Sequence, residues 1–262
     1  MPNQAQPEAV ALFVSDVHLQ PAMPRTADAF LRFLRDHAPH AARLYVLGDL
    51  FEYWAGDDDL DAPLHRQVVE ALAAVAAHGV QIGWIGGNRD FLLGERFAHA
   101  AGMQLLPDPF VAELAGIRIA LTHGDLQCSD DRAYQAFRKQ VRDPQWQRDF
   151  LAQPLAQRKA IIEGMRAGSR AAQREKSYEI MDVNEGAIAD LFAQSGARVV
   201  VHGHTHRPAT HCYPVDGAQR VRHVLPDWDL DSTPARGGWL ALLPDGRFVR
   251  YDSDGALSRT AS

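Results

Sequence analysis

The chain has 262 residues, 46% hydrophobic and 23% charged, which suffices for one buried core and excludes global disorder. Its formal net charge of −6 argues against a surface built to bind nucleic acid. Two distant cysteines, Cys128 and Cys212, make no disulfide framework and suit a reducing compartment.

Met1 to Glu8 lacks a signal-peptide pattern, and no run of about 18 apolar residues follows anywhere. A cytoplasmic protein is expected. Ala9 to Ser15 is short, apolar and β-rich, and predicts a strand. Ala27 to His37 carries Ala27, Phe30, Leu31, Phe33 and Leu34 at helical spacing. Leu44 to Leu47 predicts a second strand, and Leu64 to Ala77 an Ala-rich helix ended by Gly79. Val80 to Ile85 predicts a third strand, and Glu95 to Ala101 a short helix ended by Gly102. This alternation implies a sheet with parallel strands. Phe110 to Leu114 and Ile117 to Thr122 flank Ala115-Gly116 and read as a hairpin.

From Leu126 to Asp182 no strand pattern is found. This segment is helical and holds 11 Lys+Arg against 8 Asp+Glu, a net +3 that leaves −9 for the rest of a chain whose total is −6. A basic helical block in an acidic body is a candidate substrate-binding cap inserted at about 126–182 into a single domain of 1–262; a solvated helical hairpin is the plain alternative. Asn184 to Gln194 then predicts a helix and Arg198 to Val201 a strand. His206 to Tyr213, Gln219 to Leu225, Gly238 to Leu243 and Phe248 to Tyr251 predict successive antiparallel strands, and Ser258 to Ser262 a loose tail.

Five polar clusters follow apolar β runs: Asp16-Val17-His18, Gly48-Asp49-Leu50-Phe51-Glu52, Gly87-Asn88-Arg89-Asp90, His123-Gly124-Asp125 and Gly203-His204-Thr205-His206. Ligands of open α/β sheets bind at carboxyl ends of strands, so these clusters can converge on one rim. Alone, each is a common turn or an accident of composition; five in this order point to a metal site. Asp16, His18, Asp49, Asn88, His123, His204 and His206 offer carboxylate, imidazole and amide oxygen, a set suited to manganese, iron or zinc. Seven ligands exceed one ion's needs but suit two ions about 3.5–4 Å apart that share a carboxylate. Strand-like alternation would put Asp16 with His18, and His204 with His206, on one side.

The motif series resembles the calcineurin-like metallophosphoesterase superfamily across essentially the whole chain. Within it, the similarity is greatest to the subfamily that hydrolyses UDP-2,3-diacylglucosamine. The stretches that carry this are GDLFEYWAGDDD from Gly48, GGNRDFLLGERFA from Gly86, THGD followed by Cys128-Ser129-Asp130-Asp131, IMDVN at Ile180 to Asn184, and HGHTHRPA from His202. The resemblance implies an α/β fold, a two-sheet αββα metallophosphoesterase sandwich with an inserted helical cap. It implies two Mn2+, one held by Asp16, His18, Asp49 and His206 and the other by Asp49, Asn88, His123 and His204, with Asp49 bridging. A metal-activated water would cleave the pyrophosphate of a lipid-linked nucleotide, releasing UMP and 2,3-diacylglucosamine 1-phosphate. Asn88, Arg89 and His204 would be catalytic, and Asn88, Arg89, Asp131, Ser169, Gln173, Lys176 and His204 would contact substrate.

Arg89 departs from the wider superfamily, where many members place histidine after the asparagine. Arginine is no general acid near neutral pH but suits bidentate phosphate contact, which favours an anhydride with a stabilised leaving group; an ion pair with Asp90 is the structural alternative. The subfamily has an Asn-type amide where this chain has Gln173. Trp146, Phe150, Leu151, Leu155, Ile161, Ile162 and Met165 offer apolar surface for acyl chains or simply a core between cap helices, and Trp54 is placed near the metal rim. Lys and Arg beside apolar surface suit peripheral contact with the cytoplasmic face of the inner membrane. No obligate protein partner is implied. Rivals are another metallophosphoesterase, such as a cyclic-nucleotide phosphodiesterase or protein phosphatase, and a non-catalytic metal-binding scaffold.

Overall fold

The computed structural model describes residues 8–175, 182–215 and 218–258. The elements are β1 (Ala11–Val14), α1 (Pro24–Asp36), β2 (Arg43–Leu47), α2 (Pro63–Ala77), β3 (Gln81–Ile85), α3 (Glu95–Ala101), β4 (Met103–Leu105), β5 (Phe110–Leu114), β6 (Ile117–Leu121), α4 (Arg132–Val141), α5 (Pro144–Leu151), α6 (Leu155–Glu175), α7 (Glu185–Ser195), β7 (Val199–His202), β8 (Ala209–Val215), β9 (Ala218–Val224), β10 (Gly238–Leu242) and β11 (Phe248–Asp252).

They form two sheets. One has the order β11-β10-β1-β2-β3-β4, the other β5-β6-β7-β9-β8. β1 to β4 are parallel, as βαβ crossovers require. Strand alternation sorts the residues of β1 to opposite faces. Ala11 and Phe13 join Tyr45, Leu47, Ile85, Ile119, Leu121, Val199 and Val201 between the sheets. Leu12 and Val14 join Leu44, Val46, Phe30, Phe33, Val68 and Leu72 beneath α1 and α2. Ala120 and Val200 face Ile188, Leu191 and Phe192 of α7. The result is a helix–sheet–sheet–helix sandwich.

Local chemistry explains several boundaries. Pro24 and Pro63 open α1 and α2 at positions that need no amide donor. Asp231, from the far end of the chain, accepts the amide of Thr26 at 2.9 Å and its hydroxyl at 2.8 Å. Ala115 and Gly116 turn the β5–β6 hairpin at φ 49° and 73°, the left-handed pair a tight hairpin uses.

Three expectations are corrected. β4 carries no sequence signal because three residues make no period. The last four strands do not form one antiparallel run: β8 and β9 belong to the second sheet, with β9 parallel to β7, whereas β10 crosses to pair antiparallel with β1. The predicted strand from His206 begins only at Ala209, because the preceding histidines sit in a turn.

The α4–α6 segment packs on the first sheet's side of the sandwich. Phe150 is buried in the same core as α1 and α2, with Trp146, Ile161 and Ile162 against it. Arg158 bonds Ala55 O and Asp58, and Lys159 Nζ lies 2.6 Å from Asp59 Oδ1. Asp58 and Asp59 thus fasten the start of α6.

Candidate metal centre

The clustered side chains stand on loops after β1, β2, β3, β6 and β7, so both sheets contribute. The β1 and β2 loops are laced together: Asp16 N–H donates to Gly48 O at 3.0 Å, His18 N–H to Asp49 O at 2.9 Å and Leu19 N–H to Leu50 O at 2.9 Å. Gly203 N–H donates to His123 O at 3.0 Å and ties the β7 loop to β6. Asp16, His18, Asp49, His204 and His206 all have positive φ, between 52° and 66°. Strand alternation therefore does not aim them, as the sequence had suggested; left-handed turns do. Two glycines leave room for the carboxylates. A Cβ on Gly87 would lie 2.1 Å from Asp49 Oδ1, and one on Gly203 2.1 Å from Asp16 Oδ2.

All seven candidate ligands come together. His18 Nε2 and His206 Nε2 are 3.3 Å apart, and Asp16 Oδ1 lies 4.0 and 3.4 Å from them. Asp49 stands between two halves of the cluster: Oδ2 is 3.9 Å from His18 Nε2, and Oδ1 is 3.8 Å from His123 Nε2. Asn88 Oδ1 is 3.0 Å from His123 Nε2 and 2.9 Å from His204 Nδ1. Asp16, His18 and His206, and likewise Asp16, Asp49 and His123, could each hold a cation.

The surrounding residues orient this cluster. His123 Nδ1 faces Leu47 O at 2.8 Å, His18 Nδ1 lies 3.0 Å from Glu52 Oε2, and His206 Nδ1 lies 3.7 Å from Asp227 Oδ2. An imidazole whose far nitrogen faces an acceptor turns its other nitrogen inward, the usual support of metal-binding histidines. Buried Asp90 accepts amides from Gly87 at 3.0 Å, Asp49 at 3.3 Å and Leu50 at 2.7 Å. Burial and the Asp49 charge push its carboxyl up to about 6. Helix α4 and Arg142, the residue that caps its end, brace the same loops from behind. Tyr134 OH and Arg138 Nε donate to Asp125 Oδ2 at 2.6 and 2.8 Å, and Arg142 donates to Gly86 O at 2.9 Å and Gly87 O at 2.8 Å.

These residues fit a divalent cation. Among the described residues, Asp16 Oδ1 is buried with no hydrogen-bond partner. Imidazole nitrogens, carboxylates and an amide oxygen within 3–4 Å of one another repel unless positive charge lies among them. In the protein alone, protons serve. Burial disfavours protonated His123, yet Asp49, Asp16 and Asp125 outweigh it and raise its pKa to about 9. Burial and the charge on His123 lower His204 to about 4, leaving a neutral ring able to coordinate. Oxygen and imidazole donors without thiolate suit a hard-to-borderline divalent ion.

The remaining predicted residues divide. Arg89 stands beside the cluster: its backbone amide donates to Asp49 Oδ1 at 2.8 Å, and its side-chain Nη1 lies 3.8 Å from Glu52 Oε1. Its ion-pair partner is Glu52 rather than Asp90, whose oxygens are taken by backbone amides. Asp131 caps α4, accepting the Tyr134 amide at 3.1 Å. Ser169 and Gln173 fall within α6, and Lys176 lies outside the described residues. Trp54 does not line the rim: it is buried against Phe51, His65 and Phe97 and donates to Asp57 Oδ1 at 3.0 Å. Among the apolar candidates, Phe150 is core, whereas Leu151 and Met165 are exposed. The supporting roles of Glu52, Asp90, Asp125, Tyr134 and Asp227 escaped sequence reasoning. Glu52, Asp90 and Asp125 sat inside recognised motifs; Tyr134 and Asp227 carried no local signal.

Residues 10–208 match the calcineurin-like phosphoesterase family. Proteins named UDP-2,3-diacylglucosamine hydrolase are similar over most of the chain. That of Aromatoleum aromaticum is 51% identical over 222 residues, covering 85% of this chain and 90% of that protein. That of Bordetella pertussis is 49% identical over 236 residues, covering 88% and 91%. That of Stenotrophomonas maltophilia is 46% identical over 238 residues, covering 87% and 96%. With the family's two-sheet architecture and a cluster able to hold a divalent metal, the chain belongs to the calcineurin-like phosphoesterase family and is a metal-dependent hydrolase.

Proposed function

We propose that this chain hydrolyses the pyrophosphate bond of UDP-2,3-diacylglucosamine to UMP and 2,3-diacylglucosamine 1-phosphate, with two Mn2+ per chain. One observation carries the substrate: proteins bearing that name share 46% to 51% of their aligned residues with this chain over at least 85% of it.

Asp16, His18, Asp49 and His206 would hold one ion, and Asp49, Asn88, His123 and His204 the other. When bound, the ions supply Lewis acidity toward phosphate oxygens and lower the pKa of water toward neutrality. The chain's own residues do the rest. Arg89 offers paired N–H donors to non-bridging oxygens, and Asn88 and His204 stand beside it to orient the same phosphate. A guanidinium stabilises charge without serving as a proton donor. A phosphate leaving group needs no protonation, which makes arginine sufficient at this position.

The α4–α6 segment acts as the cap of a single domain, inserted at about 126–182. Asp131, Ser169, Gln173 and Lys176 contact substrate from it. Phe137, Leu151 and Met165 are 38%, 39% and 41% exposed there, and they support contact with acyl chains and with the cytoplasmic face of the inner membrane. Among the described residues no helix is long and apolar enough to cross a membrane, so peripheral attachment is the form proposed.

The test is manganese-dependent release of UMP from UDP-2,3-diacylglucosamine, with UDP-N-acetylglucosamine as control. Turnover of the diacylated substrate alone is expected. Cleavage of generic phosphodiesters without UMP release would overturn the substrate assignment and leave the hydrolytic centre standing.

A further inference from the structure

Glu52, in the loop after β2, joins three parts of the molecule. Its Oε2 lies 3.0 Å from His18 Nδ1. Its Oε1 lies 3.8 Å from Arg89 Nη1 and also bonds Arg166 Nη2 on α6. The Arg166 guanidinium stands 5.3 Å over the Tyr53 ring, so consecutive residues grip it by charge and by ring face. The contacts are shielded: the side chains of Glu52, Arg166 and His18 are 14%, 17% and 13% exposed.

We propose that Glu52 is a positioning residue that couples helix α6 to the metal centre, holding His18 and Arg89 in place only while Arg166 restrains it. The inference rests on the reading of His18 as a metal ligand. A carboxylate has two oxygens. Here one faces the imidazole and the other is shared by two guanidinium groups. Without Arg166, the carboxylate is left with one guanidinium among the described residues, and bidentate pairing with Arg89 becomes its strongest contact there. That rotation would withdraw Oε2 from His18 and release the imidazole. Arg158 and Lys159 fasten the start of α6 independently, so removing Arg166 leaves the helix docked.

The experiment measures Mn2+ affinity by competition with a chelating dye, for the full chain and the variants His18→Ala, Glu52→Gln, Arg166→Met, Arg166→Lys and Glu52→Gln/Arg166→Met. Glu52→Gln is expected to weaken Mn2+ binding by roughly 10–100-fold, as lost partners of ligating histidines do. Arg166→Met is expected to weaken it by roughly 10-fold although Arg166 is no ligand, and Arg166→Lys to recover part of this. In the Glu52→Gln background, Arg166→Met should add under about 2-fold, because the coupling passes through one carboxylate. Wild-type affinity in Arg166→Met, or fully additive effects, would overturn the coupling. Wild-type affinity in His18→Ala would instead overturn the ligand assignment beneath it. Thermal unfolding of each metal-free variant separates these outcomes from loss of fold.

Discussion

Asp90 accepts the backbone amide of Leu50 at 2.7 Å across 40 residues of sequence. The same carboxylate takes the amides of Gly87 and Asp49, so one buried side chain fixes the loops that carry Asp49 and Asn88. Asp90→Ala leaves these amides without an acceptor and should destabilise the metal-free protein by about 3 kcal/mol. Asp90→Asn keeps one acceptor oxygen and should recover part of the loss. Urea denaturation of the two variants checks this; equal stability of wild type and Asp90→Ala would reduce Asp90 to a bystander.

Asp49 faces both halves of the ligand cluster. Asp49→Ala should abolish turnover and lower the number of ions retained after gel filtration. Metal analysis beside rate measurements in metal-limited buffer decides the matter. Near-normal activity there would remove the shared-carboxylate model.

Arg89→Ala should slow hydrolysis by roughly 10²–10³-fold, the cost of losing one donor to developing negative charge. Arg89→Lys should restore little, because an ammonium cannot reproduce the planar fork. Steady-state rates on the nucleotide substrate test both, and an unchanged rate would make Arg89 a structural partner of Glu52 alone.

His223 supplies the pH prediction, because it lies away from the metal centre. Burial and the charge on Arg250 lower its pKa from 6.5 to about 3, and Thr210 Oγ1 meets its Nδ1 at 3.0 Å. The unfolded chain therefore binds a proton that the folded chain refuses between pH 6.5 and 3. The stability contributed by neutral His223 is complete above pH 6.5 and declines below it, by about 1.4 kcal/mol per pH unit at most. Denaturation curves of metal-free wild type and His223→Gln should keep a constant separation above pH 6.5. Below it the wild type should lose stability faster; parallel curves throughout would show that His223 titrates normally.

Much of the fold was legible because its elements carry strong periods. The Ala-rich run of α2 and the apolar β runs before each motif needed no tertiary information. β4 was missed because Met103 to Leu105 owes its strand to pairing with β3. The β7–β9 pairing was missed because local sequence does not encode which strand lies beside which.

The candidate site was legible to a different depth. The candidate donor cluster could be read because divalent metals restrict donors to few residue types. Their convergence at strand ends was read correctly, since the clusters follow β1, β2, β3, β6 and β7; strand alternation as the reason Asp16 and His18 share a side was not, since nothing in Asp16-Val17-His18 reveals left-handed backbone. Asp227 reaches His206 from a loop near the end of the chain, and Tyr134 reaches Asp125 from α4. Such contacts exist only once distant segments have docked.

The left-handed backbone at Asp16, His18, Asp49, His204 and His206 has an evolutionary consequence. A residue with a Cβ pays roughly 1 kcal/mol or more to sit there, aspartate less than histidine. Glycine would relieve that strain at His18, His204 and His206 and remove a ligand atom from the cluster, whereas at Asp16 and Asp49 it would also strand the amides of His204 and Arg89. At the three histidines, relief of backbone strain and loss of the site therefore come from the same substitution. Selection for catalysis must keep rejecting that exchange, the usual trade of stability for a working site.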